Sequence, residues 1–402
     1  MLLASFVGIG VGVSSLSYYA AGIFMTPMEQ DFGWSRSSIS AQSIFAVAIL
    51  ALLSPFIGGL IDRIGIKRVA FFSLAAYATG LLATSFIPNS ILLFYAITLA
   101  TTTFAAGSSP VTFTRAVTGW FDHRRGLALG IALMSTGIAG ILAPMLLTEY
   151  VADHGWRAGY RMLALVVALG ALIVIVFLKD DSSASVHRGQ PDSGRVADEK
   201  LTTASGAVPA QSARTLYSDP VFKKLAVIFF LVSAAVSGLI VHFIPMLIDT
   251  GMAPASAGRL ASLIGLSVII GRIVAGIMID RYFAPRVAAL LFCFAAVGFT
   301  IFIAGGIGLA PLAAVAVGFA MGAEVDLIGY LVSRYFGLAS YGVLYGTLYG
   351  IFLIGAGLAP FVTGMVYDLS GSYQPALIAS ACALFLAAAF CLSLKAFPGE
   401  TA

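Results

Sequence analysis

Gly58-Gly59-Leu60-Ile61-Asp62-Arg63 is answered 218 residues later by Gly276-Ile277-Met278-Ile279-Asp280-Arg281. Each stretch closes a long apolar run with a glycine, three apolar residues and an Asp-Arg pair. Each is followed by further cations, Lys67 and Arg68 in the first copy and Arg286 in the second. A repeat at that distance denotes a duplicated half rather than a short-period array. The chain reads as two similar bundles joined at the middle.

The composition fixes the solvent of those bundles. Of 402 residues, 60% are hydrophobic and only 10% charged, against about 25% charged in soluble domains. Twelve apolar runs are long enough to cross a bilayer of about 30 Å. They lie near 2–26, 37–61, 69–87, 90–117, 126–148, 158–178, 221–248, 257–279, 287–305, 310–335, 341–367 and 374–396. The runs are continuous rather than alternating, which predicts helices and not a barrel. The first is too long for the apolar region of a signal peptide and has no cations before it, so it is expected to remain as a span.

Alternate loops differ in charge. One side holds 17 of the 22 Lys and Arg residues, and the other holds only Arg36, Arg157, Arg161 and Arg259. This bias predicts an inner-membrane protein with both termini and the central loop cytoplasmic. It also accounts for the net charge of +4 without a nucleic-acid partner, because the cations form no single patch. Residues 179–219 replace Leu and Phe with Ser, Asp, Gly, Ala and Pro and read as a flexible linker. The predicted organisation is a bundle over 1–178, the linker, and a second bundle over 220–402. Cys293, Cys382 and Cys391 lack metal-type spacing. No phosphate-cradling G-x-x-x-x-G-K-[ST] occurs, so no cofactor, metal or nucleotide is expected and work on a solute would draw on gradients.

Twelve spans in two halves, with G-x-x-x-D-R-x-G-x-K-R over Gly58–Arg68 and its weaker copy after span eight, resemble the major facilitator superfamily. The likeness covers the whole chain and implies the all-α, two-bundle facilitator fold. Phe32-Gly33-Trp34-Ser35-Arg36, Trp120-Phe121-Asp122-His123-Arg124-Arg125-Gly126 and Gly155-Trp156-Arg157 resemble the monocarboxylate-porter branch and its oxalate-formate antiporter-like relatives. That branch implies transport of small organic anions, often with a proton, by a protein that is no enzyme and is expected to work as a monomer.

Gly58, Asp62, Arg63, Lys67, Arg68, Gly276, Asp280 and Arg281 form the expected conformational latch. Asp62 and Arg63 sit at a helix end, where they can pair with a neighbouring helix or its dipole and lock one conformation. Releasing it would let the halves rock. The plainer alternative is a solvated turn.

Aligning the two copies sets Ser54 against Arg272, the one basic residue placed clearly inside the membrane. A charge there costs roughly 2.5–3.5 kcal/mol even on the lenient insertion scale, so it needs a partner or a task. Arg272 either receives a substrate carboxylate on its fork of donors or forms a structural ion pair with an acid on another helix. Monocarboxylate porters resembling this chain place an Asp one turn before the equivalent Arg, where this chain has Val268, which puts their coupling pair in doubt.

Only Glu324 and Asp326 are acids at mid-span. Two residues apart on a helix they point opposite ways. Asp326 is expected to face a cavity or Arg272, and Glu324 to pack uncharged between helices; either could carry the proton, or both could be structural. His242 is a third candidate for coupling or a packing residue.

Facilitators resembling this chain line their cavity with spans one, four, seven and ten, which draws attention to Tyr18, Tyr19, Ser108 and Ser109. Tyr345 and Tyr349 in span eleven are one turn apart. All could orient a carboxylate, and aromatic packing is the alternative for the tyrosines.

The sequence therefore predicts a carrier of a small carboxylate by alternating access, with proton symport. Carboxylate exchange, drug efflux and a non-transporting sensor are the alternatives.

Overall fold

The computed structural model describes residues 1–121, 125–178, 217–337 and 340–398, and every regular element among them is helical. Residues 179–216 of the linker and Asp122, His123 and Arg124 lie outside the described residues.

Twelve spans follow in order. Span one runs Leu2–Phe32, span two Gln42–Ile64 after a short helix Arg36–Ser40, and span three Ile66–Thr84. Span four joins Ile91–Ala105 to Pro110–Trp120, and span five joins Arg125–Leu142 to Thr148–His154. Span six is Trp156–Phe177 and span seven Pro220–Asp249, capped by Asp219, which accepts the Val221 N–H at 2.6 Å. Span eight is Pro254–Arg281, nine Ala284–Gly305, ten Ala310–Phe336, eleven Tyr341–Ser370 and twelve Gln374–Leu392.

The first span differs from its predicted run in two respects: it is broken at Val11 and Gly12, and it extends to Phe32. A break exposes first-turn N–H groups that need an acceptor. Ser108 of span four supplies one, accepting from Val13 at 3.2 Å while its own hydroxyl donates to Ala105 at 2.7 Å.

Duplication shows in the pairing. In the first half span one packs on five, two on four and three on six; in the second, seven packs on eleven, eight on ten and nine on twelve. Between halves the contacts exchange in the same manner, one with seven, two with eleven and five with eight. The five–eight crossing is close because Gly140 and Gly265 face each other: a β-carbon on Gly140 would fall 2.8 Å from the Tyr19 ring and 3.1 Å from the Gly265 backbone. Outward surfaces carry exposed Leu and Phe, such as Leu92, Phe104, Leu165 and Leu172, as a lipid-facing bundle requires.

The spans end at two faces. The linker face carries the two Asp-Arg repeats. The distal face carries the turns at 33–35, 85–90, 250–253, 306–309 and 371–373.

Candidate functional site

Arg272 projects from span eight and Asp326 from span ten. Arg272 Nε lies 3.2 Å from Asp326 Oδ2, an ion-pair distance without the alignment of a hydrogen bond. Nη1 donates to the Leu133 carbonyl of span five, in the other half, at 3.3 Å. The two side chains are 21% and 46% exposed. A guanidinium has five N–H donors, so two long contacts leave it with capacity for an incoming oxygen. Val268, one turn earlier, is buried.

Glu324 is only 5% exposed and its Oε2 has no hydrogen-bond partner. Asp326 and Glu324 thus occupy the opposite settings that a two-residue helical offset dictates. Tyr18 donates to Ser237 Oγ of span seven at 2.9 Å, a bond between the halves, and Tyr19 points its hydroxyl at Met321 Sδ, 3.7 Å away. Tyr345 and Tyr349 belong to a stacked ladder running Tyr341, Tyr345, Tyr349, Phe352, with ring centroids 5.5, 5.9 and 5.8 Å apart. Ser109 is buried beside the span-four break. Ser108 is fully buried with its hydroxyl committed to backbone, which makes it a support for the span-one break rather than a solute contact.

His242 is placed elsewhere. It is fully buried near the distal face, within a second charge cluster that the sequence reading did not assemble. That cluster centres on Arg36, in the short helix before span two and only 3% exposed. Its Nε donates to Glu29 at 2.9 Å, and Nη1 and Nη2 grip the two oxygens of Asp249 at 2.5 and 2.8 Å. Nη1 also donates to Tyr373 Oη at 2.6 Å, and the guanidinium carbon lies 4.0 Å from the centre of the Tyr367 ring. Asp368 accepts the backbone N–H groups of Arg36 and Ser37 at 3.1 and 2.9 Å. That approach needs Gly364, where a β-carbon would come within 2.7 Å of the Ser37 nitrogen. Burial holds the Tyr373 phenol above its ordinary pKa, so it keeps its proton.

Two of the strings noted in the sequence meet nearby. Asp31 accepts from Trp156 at 2.9 Å and from Arg157 at 2.6 Å, and Trp34 donates to Asn89 at 2.7 Å, pinning the distal turns of the first half. The signal for Arg36 was present in that same Phe32–Arg36 string, but its partners Asp249, Asp368 and Tyr373 are more than 200 residues away.

At the linker face the two repeats part company. Asp62 pairs with Arg115 of span four, which also donates to the Gly58 carbonyl at 3.3 Å. Arg63 ends span two, where a cation meets the helix dipole, and Arg68 is exposed. Lys67 is half-buried. Asp280 and Arg281 are exposed and make no ion pair among the described residues, and Gly58 and Gly276 have open space around them. No cluster of ligating side chains suited to a metal occurs among the described residues.

Two repeated six-helix bundles, bound together at one face and carrying an incompletely committed arginine at mid-membrane, define a multi-pass membrane transporter. Residues 7–346 match the model of the Major Facilitator Superfamily, and the chain belongs to that family. It is 24% identical over 387 residues to monocarboxylate transporter 13 of Rattus norvegicus, covering 94% of this chain and 84% of the relative. It is also 24% identical over 381 residues to monocarboxylate transporter 12 of Homo sapiens, covering 88% and 72%. The solved structure of the nucleoside transporter NupG superposes with a TM-score of 0.78 at 14% identity, covering 98% of each chain, which shows the same fold.

Proposed function

We propose that the chain carries small organic monocarboxylates by alternating access in symport with a proton, as a monomer, in an inner membrane with the linker face toward the cytoplasm. The observation that carries this is Arg272, a mid-membrane guanidinium whose contacts are one misaligned ion pair at 3.2 Å and one carbonyl at 3.3 Å. The names of the relatives, monocarboxylate transporters 12 and 13, support the substrate class.

The charges suggest the coupling. An arriving carboxylate competes with Asp326 for Arg272, and two anions against one cation in a low-dielectric site cost several kcal/mol more than one. A proton on Asp326 removes that cost. Substrate and proton then bind together and leave together, and the site alternates between an Asp326–Arg272 pair and a substrate–Arg272 pair beside a neutral acid. Tyr18, Tyr19, Tyr345 and Tyr349 are the side chains available to orient the remainder of the solute.

Purified chain in proteoliposomes tests this with labelled lactate and pyruvate under an inward proton gradient. Accumulation is the expected result. Exchange that ignores the gradient would replace symport by carboxylate exchange, and absence of both would overturn the carboxylate reading.

A further inference from the structure

His242 has three polar neighbours, and their chemistry fixes its protonation. Nε2 lies 2.8 Å from the Pro360 carbonyl, which can only accept, so Nε2 carries a proton and donates; Ser40 Oγ sits 3.3 Å from the same nitrogen. Nδ1 lies 3.1 Å from Tyr373 Oη. That phenol already accepts from Arg36 Nη1 at 2.6 Å, so its own proton goes to an acceptor, and Nδ1 of a neutral imidazole is one. A single directed chain results: Arg36 donates to Tyr373, Tyr373 to His242, and His242 to Pro360. Arg36 and Ser40 belong to the first half and the others to the second, so the chain is part of what closes the distal face.

A second proton on His242 cannot be accommodated there. Nδ1 would become a donor aimed at a phenol that still needs an acceptor, leaving a buried polar group unsatisfied. A cation would also stand beside the Arg36 guanidinium. The charged and titratable groups acting on His242 are Arg36 from the first half, Asp249 on its own helix, and Asp368 and Tyr373 from the end of span eleven and the turn after it, while Glu29 and Tyr367 stand behind them against Arg36. Once the halves part at this face, Arg36 and Glu29 leave with the first half, water reaches the ring, and Asp249 and Asp368 of its own half stay without a guanidinium, a setting that favours imidazolium.

We propose that His242, Tyr373 and Arg36 form a proton-sensitive gate at the distal face, closed while His242 is neutral and released when His242 takes a proton. The open state binds that proton more tightly than the closed state, so acid on the distal side shifts the population toward opening. The gate is a coupling device separate from Arg272 and Asp326, and it stands whatever solute the carrier moves.

Spin labels at D153C, exposed at the distal end of span five in the first half, and G308C, exposed in the distal turn Gly306–Leu309 of the second, report the separation of the halves. The chain is otherwise complete, with C293A, C382A and C391A, and is reconstituted in liposomes. Between pH 7.5 and 5.5 the long-distance population is expected to grow, by at most about tenfold per pH unit for one linked proton. H242Q keeps an amide donor and acceptor without the titration and is expected to lose the pH response. Y373F, which removes only the hydroxyl linking Arg36 to His242, is expected to lose it as well and serves should H242Q fail to fold. An unchanged distance distribution between the two pH values, or a full response retained in H242Q or Y373F, would overturn the gate.

Discussion

Arg36 and Arg272 are held in opposite ways. Arg36 has a bidentate carboxylate, a second carboxylate, a phenol and a stacked ring, and 3% of its side chain meets solvent. Arg272 has one ion pair at 3.2 Å, one carbonyl at 3.3 Å and 21% exposure. Saturated donors build structure, because a buried charge is tolerated only when paired and hydrogen-bonded. Unsaturated donors are available to a ligand. The contrast fits a structural task for Arg36 at the distal face and the substrate role proposed for Arg272.

The largest expected effect is at Arg36. R36Q leaves Glu29 and Asp249, 31% and 27% exposed, without the buried cation that holds them, and breaking such a pair is expected toward the lower end of the roughly 3–5 kcal/mol of a fully buried one. Thermal unfolding of R36Q in lipid nanodiscs should show a midpoint clearly below wild type. R272Q removes a looser pair whose acid is 46% exposed and should lower the midpoint less than R36Q in the same assay. Equal destabilisation by the two substitutions would erase the distinction between them.

Next comes Asp326, the acid on the open side of Arg272. One coupled proton supports about tenfold accumulation per unit of pH difference, the equivalent of 1.4 kcal/mol. D326N should accumulate no labelled pyruvate above equilibrium in response to an inward proton gradient, while still exchanging internal for external pyruvate. E324Q, altering the buried acid, should retain the response. A gradient-driven D326N would transfer proton carriage to another group.

The smallest effect separates the two loop repeats. The Asp62–Arg115 pair is 60% and 44% exposed, which limits its worth to about 0–1 kcal/mol. D62N should slow pyruvate uptake measurably, and D280N, whose carboxylate has no ion-pair partner among the described residues, should slow it less. The reverse order would mean that the second copy carries the latch.

Much of this was legible in the sequence, and for a physical reason. Hydropathy and the repeat are local signals, and they yielded the twelve spans and the two halves. Arg272 stood out because a lone cation in an apolar run has no cheap explanation, and Val268 in place of an acid directed attention to span ten. The arrangement at Arg36 was hidden because it is assembled from residues 7, 213, 332 and 337 positions away. Depth was hidden as well. His242 lies well inside an apolar run, yet the helix carrying it ends only at Asp249, which puts the ring near the distal face rather than at the centre. Ser108 looked like a polar lining residue because the break at Gly12, which occupies its hydroxyl oxygen, lies inside a run that hydropathy reads as continuous.

Arg272 is the proposed seat of the substrate anion. Uptake of labelled pyruvate into proteoliposomes under an inward proton gradient, compared between wild type and R272Q matched for folded protein, tests it most directly. Loss of a charge-assisted interaction worth roughly 3 kcal/mol predicts a fall in uptake of about 100-fold, with the thermal midpoint lowered less than in R36Q. R272Q transporting at the wild-type rate would make Arg272 a structural cation and place the substrate's carboxylate elsewhere.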